Sequence, residues 1–187
     1  MSLRIYGNRL LKTLPGKDTR PTTGRVREAL FNIWQERLVG CHWLDICTGS
    51  GAMGAEALVR GADLVVGIER SPKACQIIQE NWQMVALETQ KFTLLRGDAL
   101  LKLKTLTGQQ FDLIYFDPPY AGNLYAPILE LIGRSQLLKT TGELAVEHDP
   151  KLPPPSVVGL EICRQKTYTN TGLTFLEAAN TQEPESN

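Results

Sequence analysis

From about residue 42 onward the chain alternates short apolar runs with amphipathic stretches. His42–Ile46, Leu64–Glu69, Phe92–Arg96, Phe111–Phe116 and Gly142–Glu147 have the length and composition of buried strands. Between them, residues 55–60, 72–87, 99–106 and 125–138 have the character of helices. In the 72–87 stretch Ala74, Ile77, Ile78 and Trp82 share one face. A further helix is predicted over 22–37, where Val26, Leu30, Ile33 and Trp34 recur at helical spacing. Pro21 stands near its start, where proline is tolerated. Residues 1–20, with Gly7 and a Pro15-Gly16 turn, read as irregular or weakly extended. Two late strands, near 162–169 and 172–178, suit a hairpin. Pro150–Pro155 reads as a turn-forming connection, and the polar 181–187 tail as disordered.

Strands alternating with helices predict an α/β fold with a mostly parallel sheet covered on both faces. The final two strands add an antiparallel edge. The chain divides into an arm (1–21), an α/β domain (22–180) and the tail (181–187). Ligands of such sheets bind at the carboxyl ends of the strands, near the point where strand order reverses. Candidate chemistry therefore lies at Asp45, Gly49–Gly54, Glu69, Asp98 and Asp117–Tyr120.

Composition narrows the classes. The 187 residues are 42% hydrophobic and carry zero formal net charge. A histone-like polycation and a highly charged disordered chain are both excluded. The charge is uneven: residues 1–40 hold eight Lys/Arg against three acids, a net of +5 offset by −5 in the remainder. A basic arm on an acidic body is a possible grip on nucleic acid, or simply a solvated arm. No apolar run reaches the roughly 18 residues of a membrane span. Arg4, Arg9 and Lys12 interrupt any signal-peptide core, so a cytoplasmic protein with no membrane partner is expected. Cys41, Cys47, Cys75 and Cys163 form no CxxC pair, and only His42 and His148 accompany them. No metal is expected.

Gly49-Ser50-Gly51-Ala52-Met53-Gly54 is a G-x-G-x-x-G loop between a strand and a helix, with Glu69 closing the next strand. This order fits a nucleoside cofactor, Glu69 accepting from both ribose hydroxyls. Asp45 decides which kind. A carboxylate there repels a pyrophosphate but accepts from an amino-acid ammonium. Asp98 can accept from an adenine amino group, or simply cap the helix that follows. Three acids in one pocket fit a cationic, phosphate-free cofactor, S-adenosylmethionine. Asp117-Pro118-Pro119-Tyr120 follows the strand FDLIYF. The prolines remove two N–H donors. The Asp117 carboxylate and Pro118 carbonyl then form two convergent acceptors for a planar exocyclic amine. Tyr120 offers a ring on which an extruded base can stack.

L-D-I-C-T-G-S-G-A-M-G-A-E-A-L-V-R-G-A (44–62) with D-P-P-Y (117–120) resembles an amino-group methyltransferase that uses S-adenosylmethionine. R-P-T-T-G-R-V-R-E-A-L-F-N (20–32) narrows the resemblance to the RsmD family, which methylates N2 of a guanine in bacterial small-subunit (16S) ribosomal RNA. It runs from about Arg4 to Phe175. It implies a Rossmann-like, class I methyltransferase fold with seven strands. It implies a cofactor site at Asp45, Thr48, Gly49, Ser50, Gly51, Glu69, Asp98 and Ala99. It implies target-base contacts at Asp117, Pro118 and Tyr120. RNA contacts are expected at Arg20, Thr22, Arg25 and Arg27, whose basic members suit phosphates. The chain departs from the family at Cys47-Thr48 in place of Phe-Ala, at Leu10-Leu11-Lys12-Thr13 in place of a basic stretch, and at Thr169 in place of a glycine.

Other functions share these residues. An adenine-N6 methyltransferase on DNA or RNA needs the same amine chemistry, though the chain leaves little room for a separate recognition domain. A non-catalytic RNA-binding assembly factor and a nicotinamide oxidoreductase are further alternatives, the last the weakest. The expected partner is ribosomal RNA within the small subunit or its assembly intermediate. Nothing in the sequence requires more than a monomer.

Overall fold

The computed structural model describes residues 2–13, 24–119 and 123–179. Two short strands, β1 (Ser2–Ile5) and β2 (Arg9–Lys12), open it as an antiparallel hairpin. Helix α1 (Gly24–Ile33) follows. Then come β3 (His42–Ile46), α2 (Ala52–Val59), β4 (Leu64–Glu69), α3 (Pro72–Val85), β5 (Lys91–Arg96), α4 (Ala99–Lys104), β6 (Phe111–Phe116) and α5 (Tyr125–Ser135). The long β7 (Leu138–His148) leads to β8 (Leu160–Tyr168) and β9 (Thr171–Ala178). Seven strands form one sheet in the order β5-β4-β3-β6-β7-β9-β8. The first five in that order are parallel, and β9 runs antiparallel to both its neighbours.

Two cores flank the sheet. One face packs against α1, α2, α3 and the N-terminal hairpin, around Trp34, Trp43, Trp82 and Phe175. The other packs against α4 and α5, around Phe111, Phe116, Ile128 and Ile132. Strands covered on both sides read as unbroken apolar runs, which is why β3, β4 and β6 have the bounds that their residues predict. Order reverses between β3 and β6, which lie side by side and lead to opposite halves of the sheet. That crevice is where Cys47–Gly51 and Asp117-Pro118-Pro119 emerge.

Three expectations are corrected. Residues 2–12 are a hairpin, not an irregular arm: Ile5 and Leu11 turn inward, and Gly7 and Asn8 make the turn with φ of +68° and +61°. The helix from Tyr125 stops at Ser135, because Gln136 is left-handed (φ +54°) and turns Leu137-Leu138 toward the sheet. The strand expected over 142–147 accordingly begins at Leu138.

The β8–β9 connection carries strain. Tyr168 pairs with Thr171, so Thr169 and Asn170 form a two-residue loop. Thr169 has a φ of +42°, a conformation in which glycine is the usual first residue. A β-branched side chain there costs about 1–2 kcal/mol. Thr169→Gly is expected to raise the melting temperature by roughly 2–4 °C, equivalent to about 1 kcal/mol. A lower melting temperature in the variant would show that the turn is not strained.

Candidate active site

The glycine turn is fixed from both sides. The amides of Cys47 and Thr48 both donate to the Ile68 carbonyl, at 3.1 Å each. The Thr48 hydroxyl lies 2.9 Å from the Asp45 carbonyl and 3.2 Å from that of Ile68, so it is taken up by the loop itself. Gly49 and Gly51 are left-handed, with φ of +59° and +78°. Ser50 is half-buried, and its carbonyl accepts from Asn81 at 3.2 Å. Gly54 serves another purpose. A Cβ there would fall 2.4 Å from the Trp82 ring, and one on Gly67 of β4 would do the same. Both glycines clear space for the indole of α3, whose Nε1 donates to the Gly51 carbonyl at 2.8 Å.

Asp45 is 1% exposed and accepts from the Gly54 amide at 3.1 Å. Burial pushes its carboxyl up to about 7; the Gly54 amide opposes that shift, and the charge of Glu69 adds to it. Glu69 closes β4 with both oxygens engaged, one accepting from Gly49 N at 2.9 Å and the other from Ser71 N at 2.7 Å. It thus braces the turn from the end of β4. Asp98 is exposed and accepts from Leu101 N at 3.0 Å, capping α4 directly before Ala99. Its expected helix-capping role is therefore present.

Asp117 leaves β6 beside the end of β3, its amide donating to the Ile46 carbonyl at 3.3 Å. Asp117 is half-buried, Pro118 buried and Pro119 exposed. The Cys47 thiol lies in the field of this crevice. Burial first, then the negative charges of Glu69, Asp117 and Asp45, push it up to about 12. All three acids border the strand-end crevice: Glu69 accepts from Gly49 N, Asp45 from Gly54 N, and Asp117 N donates to the Ile46 carbonyl. A dianionic pyrophosphate fits such a crevice poorly, and a cation fits it well.

Tyr120, Arg20 and Thr22 lie outside the described residues. Arg25 is exposed on α1. Arg27 corrects the expectation of a phosphate contact. It is 7% exposed, its Nε pairs with Glu56 at 2.8 Å, and its Nη2 donates to the Arg4 carbonyl at 2.7 Å. Glu56 also holds Arg60 at 2.8 Å, and Arg60 stacks 4.0 Å above the Tyr6 ring. Arg27 thus fastens the N-terminal hairpin and α1 to α2. A charged residue on a helix suggests solvent, but buried guanidinium groups persist when paired in this way.

Other residues at the site escaped sequence reasoning. Buried Asn81 donates to the carbonyls of Lys12 and Ser50 and accepts from Lys12 N, tying β2 to the glycine loop. The Phe116–Val146 register sets Glu147 beside Asp117. Glu147 is 3% exposed and accepts from the Tyr115 hydroxyl at 2.6 Å. Next to it, His148 Nδ1 donates to the Asp149 carbonyl at 2.7 Å. Its Nε2 lies 3.0 Å from the Thr174 hydroxyl. The signal for Glu147 was available, since it ends a predicted parallel strand as Glu69 does.

The sheet order, the glycine turn and the acid at the end of β4 define the class I methyltransferase fold. The solved structure of yhhF from Escherichia coli superimposes with a TM-score of 0.81 at 28% identity, covering 96% of this chain and 100% of that one. A family model described as conserved hypothetical protein 95 matches residues 3–177. The chain belongs to this family, that of the small-subunit methyltransferase D proteins (RsmD). Ribosomal RNA small subunit methyltransferase D of Escherichia coli (strain K12) is 30% identical over 159 residues, 83% of this chain and 79% of that protein. YlbH of Bacillus subtilis (strain 168) is 36% identical over 168 residues, 88% of this chain and 91% of that protein. Among the described residues, no helix is long and apolar enough to cross a membrane.

Proposed function

We propose that this chain transfers a methyl group from S-adenosylmethionine to the exocyclic N2 amino group of a guanine in small-subunit ribosomal RNA. The observation that carries the reading is the placement of Asp45, Glu69 and Asp117 around the crevice between β3 and β6, Asp45 on Gly54 N, Glu69 on Gly49 N and Asp117 held to the Ile46 carbonyl. Family membership supports ribosomal RNA as the substrate.

When bound, S-adenosylmethionine supplies an electrophilic methyl group on a positively charged sulfur. Asp45 would hold the ammonium of its amino-acid tail, and Glu69 the ribose hydroxyls. The Gly49-Ser50-Gly51 backbone, already shaped, gives the close approach that a nucleoside needs. Asp98 and Ala99 would border the adenine. Asp117 and the Pro118 carbonyl accept from the two amine protons of the target base and leave its nitrogen lone pair aimed along the line of displacement. The Asp117 carboxylate also stabilises the positive charge that grows on that nitrogen. Tyr120 stacks on the base. Arg20, Thr22 and Arg25 hold the RNA backbone, while Arg27 holds α1 in place.

The test is methyl transfer from labelled cofactor to small subunits lacking the modification, with naked ribosomal RNA and duplex DNA in parallel. Digestion to nucleosides should return the label as N2-methylguanosine from ribosomal RNA alone. Label in N6-methyladenosine would overturn the guanine reading. No label in any substrate, despite cofactor binding, would overturn the reaction itself.

A further inference from the structure

We infer that the cleft end of the β8–β9 ribbon is a docking surface for the phosphate backbone of the RNA substrate. The inference rests on the reading above and adds a surface to it. Strand β8 is the sheet's edge, and Glu161 through Thr167 are all exposed along it. Its charges are segregated. At the far end Glu161 pairs with Glu177 of β9, acid facing acid. Toward the cleft stand Arg164, opposite Phe175, and Lys166, opposite Leu173, followed by half-buried Tyr168.

Register fixes where this basic half points. Leu173 pairs with Glu147, and Gly172 with His148, so Lys166 and Tyr168 lie level with the strand end beside Asp117. Cross-strand partners share a face. Leu173 and Phe175 belong to the core on the α1 side, so Arg164 and Lys166 project on that same side. Helix α1 descends on this side away from the cleft: Arg27 pairs with Glu56 of α2, and Phe31, one turn further on, lies against Arg60 just past the end of α2. Trp34, just beyond its last residue, donates to Glu143 at 2.6 Å, low on β7, which leaves Arg25 at the cleft end. Arg25, Lys166 and Tyr168 therefore rim one side of the crevice.

Neither Arg25 nor Lys166 takes part in an ion pair among the described residues. The Arg164 guanidinium rests over the Phe175 ring at 5.5 Å, its charge open to solvent. Two cations two residues apart on an extended strand, with an aromatic two residues further, match the phosphate-and-base periodicity of single-stranded RNA. Cations on an edge strand also discourage edge-to-edge association. That purpose would be met anywhere on β8, whereas the cations occupy only its cleft half.

The test compares full-length protein with Lys166→Gln, the Arg164→Gln/Lys166→Gln pair, and Lys104→Gln on the opposite face as a control. Binding to a labelled ribosomal RNA fragment is measured by anisotropy over a salt series, with cofactor affinity and melting temperature alongside. The double variant should bind RNA roughly tenfold more weakly, with its log–log salt slope reduced by about 1.5. Cofactor affinity should not move, and Lys104→Gln should match the parent. Unchanged RNA affinity, or self-association appearing in the double variant without a change in RNA affinity, would overturn the surface. Weakened RNA binding in a protein that methylates no ribosomal RNA would sink the proposed reaction and leave the surface standing.

Discussion

Asp117→Ala is expected to lower methyl transfer by about 10²–10³-fold while cofactor affinity stays within about twofold. The carboxylate lies at the end of β6, anchored by its own amide to Ile46, and Pro118 follows it with no N–H to offer. In the proposed reaction, removing it deletes one of two acceptors for the target amine and the negative charge that would face the nitrogen as that atom becomes positive. Asp117→Asn should be less damaging, because its carbonyl can still accept from one amine proton. The split between the two variants separates positioning from charge. Single-turnover transfer at saturating cofactor reads the chemical step directly. An alanine variant with parental turnover would remove Asp117 from the reaction.

Asp45→Asn should do the opposite to stability and binding. The native carboxyl, near 7, lies well above its ordinary value of 3.8 because burial disfavours the charge. Between those two values the native state holds a proton that the unfolded chain has released. Stability contributed by Asp45 is therefore fully present below about pH 4, declines as pH rises, and is lost above about pH 7. The loss is on the order of 4 kcal/mol at most. Asparagine keeps the acceptor for Gly54 N and never ionises. The ligand-free variant should therefore melt well above the parent at pH 8, by less than half that margin at pH 5, and close to it at pH 4. Its affinity for S-adenosylmethionine should fall at least 100-fold at pH 8, since the ammonium loses a buried counter-charge. In the parent, affinity should rise almost tenfold per pH unit below 7 and level off above it. Titration calorimetry from pH 5.5 to 8.5 checks this. An affinity flat across that range would show that no cation depends on Asp45.

What the sequence makes legible follows from how each residue's environment constrains it. Strands β3, β4 and β6 are enclosed on both faces, so nearly every position must be apolar and the bounds stand out. The β1–β2 hairpin is half exposed and four residues per strand, too short for alternation to rise above chance. The strand-end acids Asp45, Glu69 and Asp117 were legible because a parallel sheet leaves one end for chemistry. Glu147 obeys the same rule but lacks a flanking motif. Arg27 and Asn81 defeat local reasoning for another reason. Their partners, Glu56 and the Lys12 backbone, are distant in sequence, and only the assembled fold shows that polar side chains there are interior fasteners.

Trp82 has a consequence for the kinetics of ligand capture. Its indole fills the space left by Gly54 and Gly67 and hydrogen-bonds the Gly51 carbonyl, while Asn81 and Glu69 grip the same loop. The loop's shape is thus set by packing beneath it rather than by whatever lies above it. Little ordering entropy is left for this loop to lose when a nucleoside arrives, which favours fast docking onto it. The indole is also a built-in optical reporter. Its emission should stay constant through binding if the loop is as rigid as its contacts make it.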